Sequence, residues 1–292
     1  MSGAITRRAL AAGLTGGLAA AGSARATAPA PRRVVSLNPC LDVILVQVAD
    51  RPQIAALSHY ARDPENSSVG AAGRGLAITY ESAEEVVALR PDLVLMARHS
   101  SPATRAALQR LGVKAELFGV PESVDASLEQ VTRVAAAVGR PQRGAALVAR
   151  IRAAIAAAAP APGEARLSAI VYQSSGFASA EGTLMDEMMR RAGLDNAAGR
   201  YGLRRTGNIP LEALVADPPD VILAGQPKAG APTWAERVLT HPALGRLSRK
   251  VHAAPFPQRL MFCGGPVLIE TAALLAQTRR DALAAGAGRA RG

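Results

Sequence analysis

Aromatic side chains are scarce in this 292-residue chain, which has four Tyr, four Phe and one Trp. A surface that stacks nucleic-acid bases on Phe, Tyr or Trp platforms is therefore disfavoured. Cysteine is scarcer still. Cys40 and Cys263 stand alone, with no C-x-x-C and no histidine at ligand spacing from either, so a structural zinc site is not expected. The four histidines, His59, His99, His241 and His252, are too few and too dispersed for a free-metal-ion receptor, which needs three or four converging His, Asp or Glu. Reaction motifs are lacking as well. There is no G-x-S-x-G elbow, no P-loop and no H-E-x-x-H, and Gly70-Ala-Ala-Gly-Arg-Gly75 does not fit the dinucleotide fingerprint. Gln173-Ser-Ser-Gly-Phe177 could hold a nucleophilic serine, but no Asp–His pair is placed to activate it.

What the chain has in quantity is aliphatic residue and positive charge. Hydrophobic residues make up 49% and charged ones 20%, the composition of a folded chain with a sizeable core. The formal charge is +11, and three of those charges, Arg7, Arg8 and Arg25, lie in a segment that reads as an export signal. Thr6-Arg7-Arg8 is its positive start, Ala9 to Ala24 its uncharged run, and Ala24-Arg25-Ala26 an A-x-A cleavage site. The arginine pair fits a twin-arginine signal, and a general secretory signal remains open. No later run matches the first in apolar length, so a periplasmic protein, soluble once cleaved near Ala26, is expected. In that oxidising compartment a Cys40–Cys263 disulfide is permitted, though not required. The remaining Arg and Lys are scattered, so nucleic acid is not expected as a partner.

From Arg33 onward short β-like runs alternate with helical ones, the signature of βαβ units. Strands are predicted over Val34–Leu37, Ile54–Leu57, Leu93–Met96 and Ala115–Phe118, then over Ser168–Tyr172, Val221–Ala224 and Lys250–Ala253. Helices are predicted over Leu41–Val48, Glu84–Leu89, Pro102–Leu111 and Val124–Val138. In the second half they fall at Leu184–Ala192, Leu211–Ala216, Trp234–Leu239 and Pro266–Leu283. Between the halves, Pro141 to Ala159 carries Leu147, Ile151 and Ile155 at four-residue spacing and ends at the breaker cluster Pro160-Ala-Pro162-Gly163. The expected fold class is α/β, with two Rossmann-like lobes of mostly parallel sheet joined by one long backbone helix. The boundaries are an export signal at 1–26, a first lobe at 33–140, the connecting helix at 141–160, a second lobe at 165–283 and a disordered tail at 284–292.

An internal echo supports two lobes. Glu84-Glu-Val-Val-Ala-Leu-Arg-Pro-Asp-Leu-Val-Leu and Glu212-Ala-Leu-Val-Ala-Asp-Pro-Pro-Asp-Val-Ile-Leu align without gaps. Each reads as a short helix, stopped by Pro91 or Pro219, that feeds a buried strand behind Asp92 or Asp220. In the first copy, Ser82-Ala-Glu-Glu85 also fits a capping box, which gives Glu85 a structural role.

These two runs, together with Arg33-Val-Val-Ser-Leu-Asn-Pro-Cys-Leu-Asp42, Val120-Pro-Glu-Ser-Val124 and Ile209-Pro-Leu-Glu-Ala-Leu214, resemble the periplasmic solute-binding proteins for iron siderophores, haem and cobalamin. The likeness covers roughly Arg33 to Leu283. It implies a monomeric receptor, not an enzyme, that carries a metal chelate to the permease dimer of an ABC importer at the inner membrane. The chelate, expected to be an iron siderophore with cobalamin or haem as alternatives, is transported cargo and not a covalent cofactor. An exported α/β enzyme is the further alternative. By the same resemblance Glu84 and Glu212 dock on permease arginines, although the helix dipole alone favours an acid in a first turn.

The cargo is expected between the lobes, at the carboxyl ends of strands. The expected ligand-binding residues are Asn38, Cys40, Tyr60, Arg62, Arg98, Gln173, Phe177, Trp234 and Arg259, the arginines offering planar forks to carboxylate or catecholate oxygens. His59 and His99 are candidate haem ligands, Cys40 and Cys263 are pairing partners, small hydrophobes or thiolate ligands, and Met261 beside Phe262 reads as packing. The long helix is expected to limit closure to a small rocking motion.

Overall fold

The computed structural model describes residues 29–226, 237–247 and 251–289; the segment expected to be an export signal and Trp234 lie outside them. The first lobe opens with β1 (Val34–Ser36), whose three residues are buried, and α1 (Pro39–Val48). Asn38 starts that helix by accepting hydrogen bonds from the amides of Cys40 (3.0 Å) and Leu41 (3.3 Å), with Pro39 preset in the first turn. Then come β2 (Ile54–Ser58), β3 (Ile78–Thr79), α2 (Ala83–Ala88), β4 (Leu93–Ala97), α3 (Pro102–Arg110), β5 (Ala115–Phe118) and α4 (Val124–Ala137). Ser82, Ser101 and Ser123 cap α2, α3 and α4 in the same way. All five strands pair in parallel, in the order β3-β2-β1-β4-β5.

The connecting helix α5 (Pro141–Ala157) buries Gly144, Leu147, Ile151 and Ile155. It packs against α1 and α4 of the first lobe and against α6 (Leu184–Arg191) and α10 (Val267–Arg289) of the second. Gly144 permits the close approach to α4, where a β-carbon would collide with Ala135.

The second lobe is built on β6 (Leu167–Tyr172), β8 (Leu194–Asn196), β10 (Val221–Ala224) and β11 (His252–Pro255), parallel in the order β11-β10-β6-β8. A separate antiparallel ribbon joins β7 (Phe177–Ser179) to β9 (Thr206–Asn208). Helices α7 (Leu211–Ala216), α8 (Arg237–Thr240) and α9 (Pro242–Leu247) complete it. One buried cluster runs through both lobes, from Val34 and Leu95 by way of Ile151 to Val171 and Leu275.

The internal echo has a physical basis. The units α2–β4 and α7–β10 are equivalent, and in each the aspartate after the prolines clamps the start of the neighbouring first strand. Asp92 accepts from the amides of Arg32 (2.7 Å) and Arg33 (2.9 Å), and Asp220 accepts from the amide (2.8 Å) and hydroxyl (2.7 Å) of Ser168. Both clamps are solvent-accessible, so water partly replaces what a truncation removes. Asp92→Ala is expected to lower stability by about 1 kcal/mol in a urea titration, and an unchanged midpoint would show that the clamp is idle.

The differences from the sequence reading lie in short or polar elements. β3, β7, β8, β9 and α9 were not expected, because two to six residues such as Leu-Asp-Asn or Thr-Gly-Asn carry no periodicity of their own. The last parallel strand sits at His252–Pro255, two residues later than expected. The terminal helix runs to Arg289, past the expected end at Leu283, because the following Ala-rich residues favour helix over a disordered tail.

Candidate functional site

Both sheets reverse strand order beside their first strand, β1 next to β4 and β6 next to β10, and loops leaving the carboxyl ends there form the natural binding position. The exit loops of the two lobes meet. Phe177, which follows β6, lies 6.0 Å ring to ring from Phe262, which follows β11. Cys40, which follows β1, is disulfide-bonded to Cys263. Phe262 and Cys40 also line a small cavity with Asn38, His99 and Gly119.

A strip of rings and titratable groups extends from this junction along the ends of β4, β1, β2 and β3. The His59 ring contacts Tyr60 at 4.0 Å and stacks on Tyr80 at 5.2 Å, with planes 16° apart. Glu81 approaches His59 Nδ1 at 3.8 Å, and that nitrogen has no hydrogen-bond partner. Burial raises the Glu81 carboxyl above the ordinary carboxylate range, while His59 and His99 oppose the shift. Glu81 takes a left-handed backbone conformation (φ 73°), a strained state for a non-glycine residue. It is held there by its amide donating to Thr79 Oγ1 and its carbonyl accepting from Thr104 Oγ1. The capping box is modified: Glu85 receives the Ser82 cap on its amide, but its carboxylate accepts from Thr79 Oγ1 and the Tyr80 amide, which fixes the Tyr80 backbone.

Beneath the strip lies Asp42, in the first turn of α1 and fully buried. It accepts from the Ser58 hydroxyl at 2.5 Å and the Ser58 amide at 3.3 Å. Burial outweighs these bonds and pushes the carboxyl up to about 7, with Glu81 adding to the rise.

The residues expected at the site have different fates. Asn38 lines the junction, but its side-chain oxygen is spent capping α1. Cys40 is half of the disulfide, which leaves neither cysteine as a thiolate ligand or a free hydrophobe. Tyr60, Arg62 and Arg98 are exposed, and Arg62 opens a groove of about 840 Å³ that runs past Ser67, Arg74 and Ile78. Phe177 is half-buried against Phe262. Gln173 departs from expectation: it is buried in its own lobe, packed on Gly225, with Nε2 donating to the Phe256 carbonyl. Arg259 departs too. Its guanidinium forms a two-pronged pair with Glu270 (2.6 and 2.5 Å) and reaches Ser68, so its fork is occupied. Trp234 lies outside the described residues. Met261 is core packing as expected, whereas Phe262 is 52% exposed at the junction. Tyr80, 68% exposed, was missed because the two-residue strand before it leaves no pattern.

Glu84 and Glu212 are both exposed in first turns, and no hydrogen bond or ion pair engages either among the described residues. Among those residues there is also no group of three or more His, Cys, Asp or Glu able to hold a metal ion, and no helix long and apolar enough to cross a membrane.

Comparison with known proteins places this geometry. The family model described as periplasmic binding protein matches residues 34–248. A cobalamin-binding protein of Halobacterium salinarum is 27% identical over 201 residues, 67% of this chain and 54% of that one, so the chain spans about half the length of its curated relative. The periplasmic haem-binding protein RhuT from Roseiflexus sp. RS-1 superposes with a TM-score of 0.69 at 24% identity, covering 86% of this chain and 98% of the other. The periplasmic vitamin B12-binding protein BtuF of Vibrio cholerae superposes at 0.64 and 15% identity, covering 87% and 98%. These two likenesses establish the shared fold.

Proposed function

The chain belongs to the periplasmic binding protein family, and on that premise we propose that it is the exported receptor of an ABC importer, holding a macrocyclic metal chelate where the two lobes' exit loops meet. Binding and delivery are its whole task; no covalent chemistry is involved. The observation that carries the choice of cargo is the placement of the aromatics. Of nine in the chain, Tyr60, Tyr80, Phe177 and Phe262 follow the carboxyl ends of parallel strands, and three of these are exposed. Exposed ring faces suit a large conjugated ring such as haem or the corrin of cobalamin.

His59, Tyr60, Tyr80 and His99 each offer a single donor, which suffices for a metal whose other positions a macrocycle fills. The groove beside Arg62 and Arg74 gives room and positive charge for acidic arms. A ferric siderophore, the cargo expected from sequence, is served less well, because Arg259 is already neutralised by Glu270.

Titration of the purified protein with hemin, cyanocobalamin and a ferric catecholate, followed by absorbance, tests this. One macrocycle is expected to bind, and the double substitution Tyr60→Ala with Tyr80→Ala to weaken it on the order of 30-fold, about 1 kcal/mol per ring. Binding of the catecholate alone would overturn the cargo class, and binding of none would overturn the receptor reading. Delivery is proposed to use Glu84 and Glu212, one from each lobe, as contacts for the permease.

A further inference from the structure

Residues 256–266 leave β11 and, before entering α10, cross to the first lobe as a strap. Gln258 Nε2 donates to Asn66 Oδ1 and Arg259 Nη1 to Ser68 Oγ, both at 3.3 Å. The Gly265 amide donates to Ser127 Oγ at 2.6 Å. At Gly265 the strap approaches α1 so closely that a β-carbon would lie 2.9 Å from Ile44. The one covalent connection is Cys263 to Cys40, across 223 positions of sequence. Phe262, adjacent to it, is the strap's exposed ring, and it shares the junction cavity with Asn38 and His99. The cavity is about 30 Å³, room for water and not for a macrocycle, so the cargo would rest against its rim, where Phe262 is exposed.

We propose that the Cys40–Cys263 disulfide is a redox-sensitive latch on the cargo gap: intact, it holds Phe262 and the start of α1 in register, and its cleavage by a dithiol frees the strap and shortens cargo retention. The part concerning cargo rests on the receptor reading above; the part concerning the strap does not. Cys40 is half-buried and Cys263 is 7% exposed, so the attack is assigned to the sulfur of the more exposed partner, Cys40. A thiolate of the dithiol attacks it, forming a mixed disulfide and releasing Cys263 as a thiolate that takes up a proton. The second thiol of the reductant then displaces Cys40. The reductant departs as its own disulfide, and the protein has gained two electrons and two protons. What remains across the strap is a few hydrogen bonds, of which those of Gln258 and Arg259 are only part-buried, and the packing of Leu260 and Met261 into the core.

The test is hydrogen–deuterium exchange on the full chain, oxidised and after dithiothreitol, with the double variant Cys40→Ser and Cys263→Ser alongside. Exchange at 257–266 and 38–42 is expected to rise about tenfold on reduction while β1, β4, β6 and β10 keep their protection. The double variant is expected to release hemin or cyanocobalamin, whichever the wild type binds, about tenfold faster. Unchanged strap exchange, a bond that dithiothreitol leaves intact in the folded protein, or an unaltered off-rate would each overturn the latch. If the variant fails to fold, the reduced wild type supplies the exchange and release measurements. If the wild type binds no probe, the receptor reading is what fails, and strap exchange alone decides the latch.

Discussion

Replacing Glu84 and Glu212 together with arginine is expected to abolish uptake by cells while leaving the purified protein's cargo affinity unchanged. The two carboxylates are exposed, without hydrogen bond or ion pair among the described residues, and at equivalent places in the repeated α2–β4 and α7–β10 units. Each lobe thus presents one acid in the same local frame, which is what a two-fold permease face would grip. Reversal juxtaposes like charges at both contacts, and such repulsion costs several kcal/mol, enough to suppress docking at any cellular concentration. Each single reversal is expected to reduce uptake only in part. The competing account is that both acids merely complement a helix dipole, worth about 0.3 to 1 kcal/mol each. The variants Glu84→Gln and Glu212→Gln separate the two, because they remove the dipole interaction without introducing repulsion. Uptake that survives the double reversal would exclude docking through this pair, and a fall in affinity would place the acids at the cargo instead.

The second large effect concerns Asp42, buried in the first turn of α1 beneath the ring strip. The folded protein holds its proton up to about pH 7, whereas an unfolded aspartate releases it near 3.8. The folded state therefore binds more protons between these values. The stability linked to Asp42 is complete below about pH 4 and is lost as pH rises to about 7. A difference of about three units corresponds to roughly 4 kcal/mol, an upper estimate at pH 8. Asp42→Asn retains an oxygen to accept from the Ser58 amide and cannot ionise. It is expected to remove this slope from urea midpoints measured between pH 4 and 8 and to leave the variant more stable than wild type at pH 8. Parallel pH profiles for the two proteins would show that Asp42 ionises in the fold at little cost. The same acid sits one residue beyond Leu41, a lining residue of the junction, so cargo affinity measured across this range reports whether its charge reaches the site.

Much of this architecture was legible because it is written locally. Ala115–Phe118, Val221–Ala224 and Leu211–Ala216 fall where apolar runs, prolines and caps place them. The spacing of Leu147, Ile151 and Ile155 identified the helix that packs on both lobes. β8 and β9 were illegible for the opposite reason: they are strands only because β6 and β7 pair with them. At the site, residue types on exit loops were readable and their commitments were not. Gln173 looks like a hydrogen-bonding loop residue until Phe256, 83 positions away, claims its amide. Tyr80 gained significance only once β3 set it beside His59.

By itself the sequence determined a repeated α/β plan, the helix between its copies and the acid that opens each copy's short helix, because periodicity, breakers and caps act over a few residues. Only the tertiary structure decided that Cys40 meets Cys263, that Glu270 occupies the Arg259 fork and that Asp42 loses its water. Pairing, neutralisation and desolvation depend on groups that packing brings together from distant positions, and no local pattern records which of them will meet.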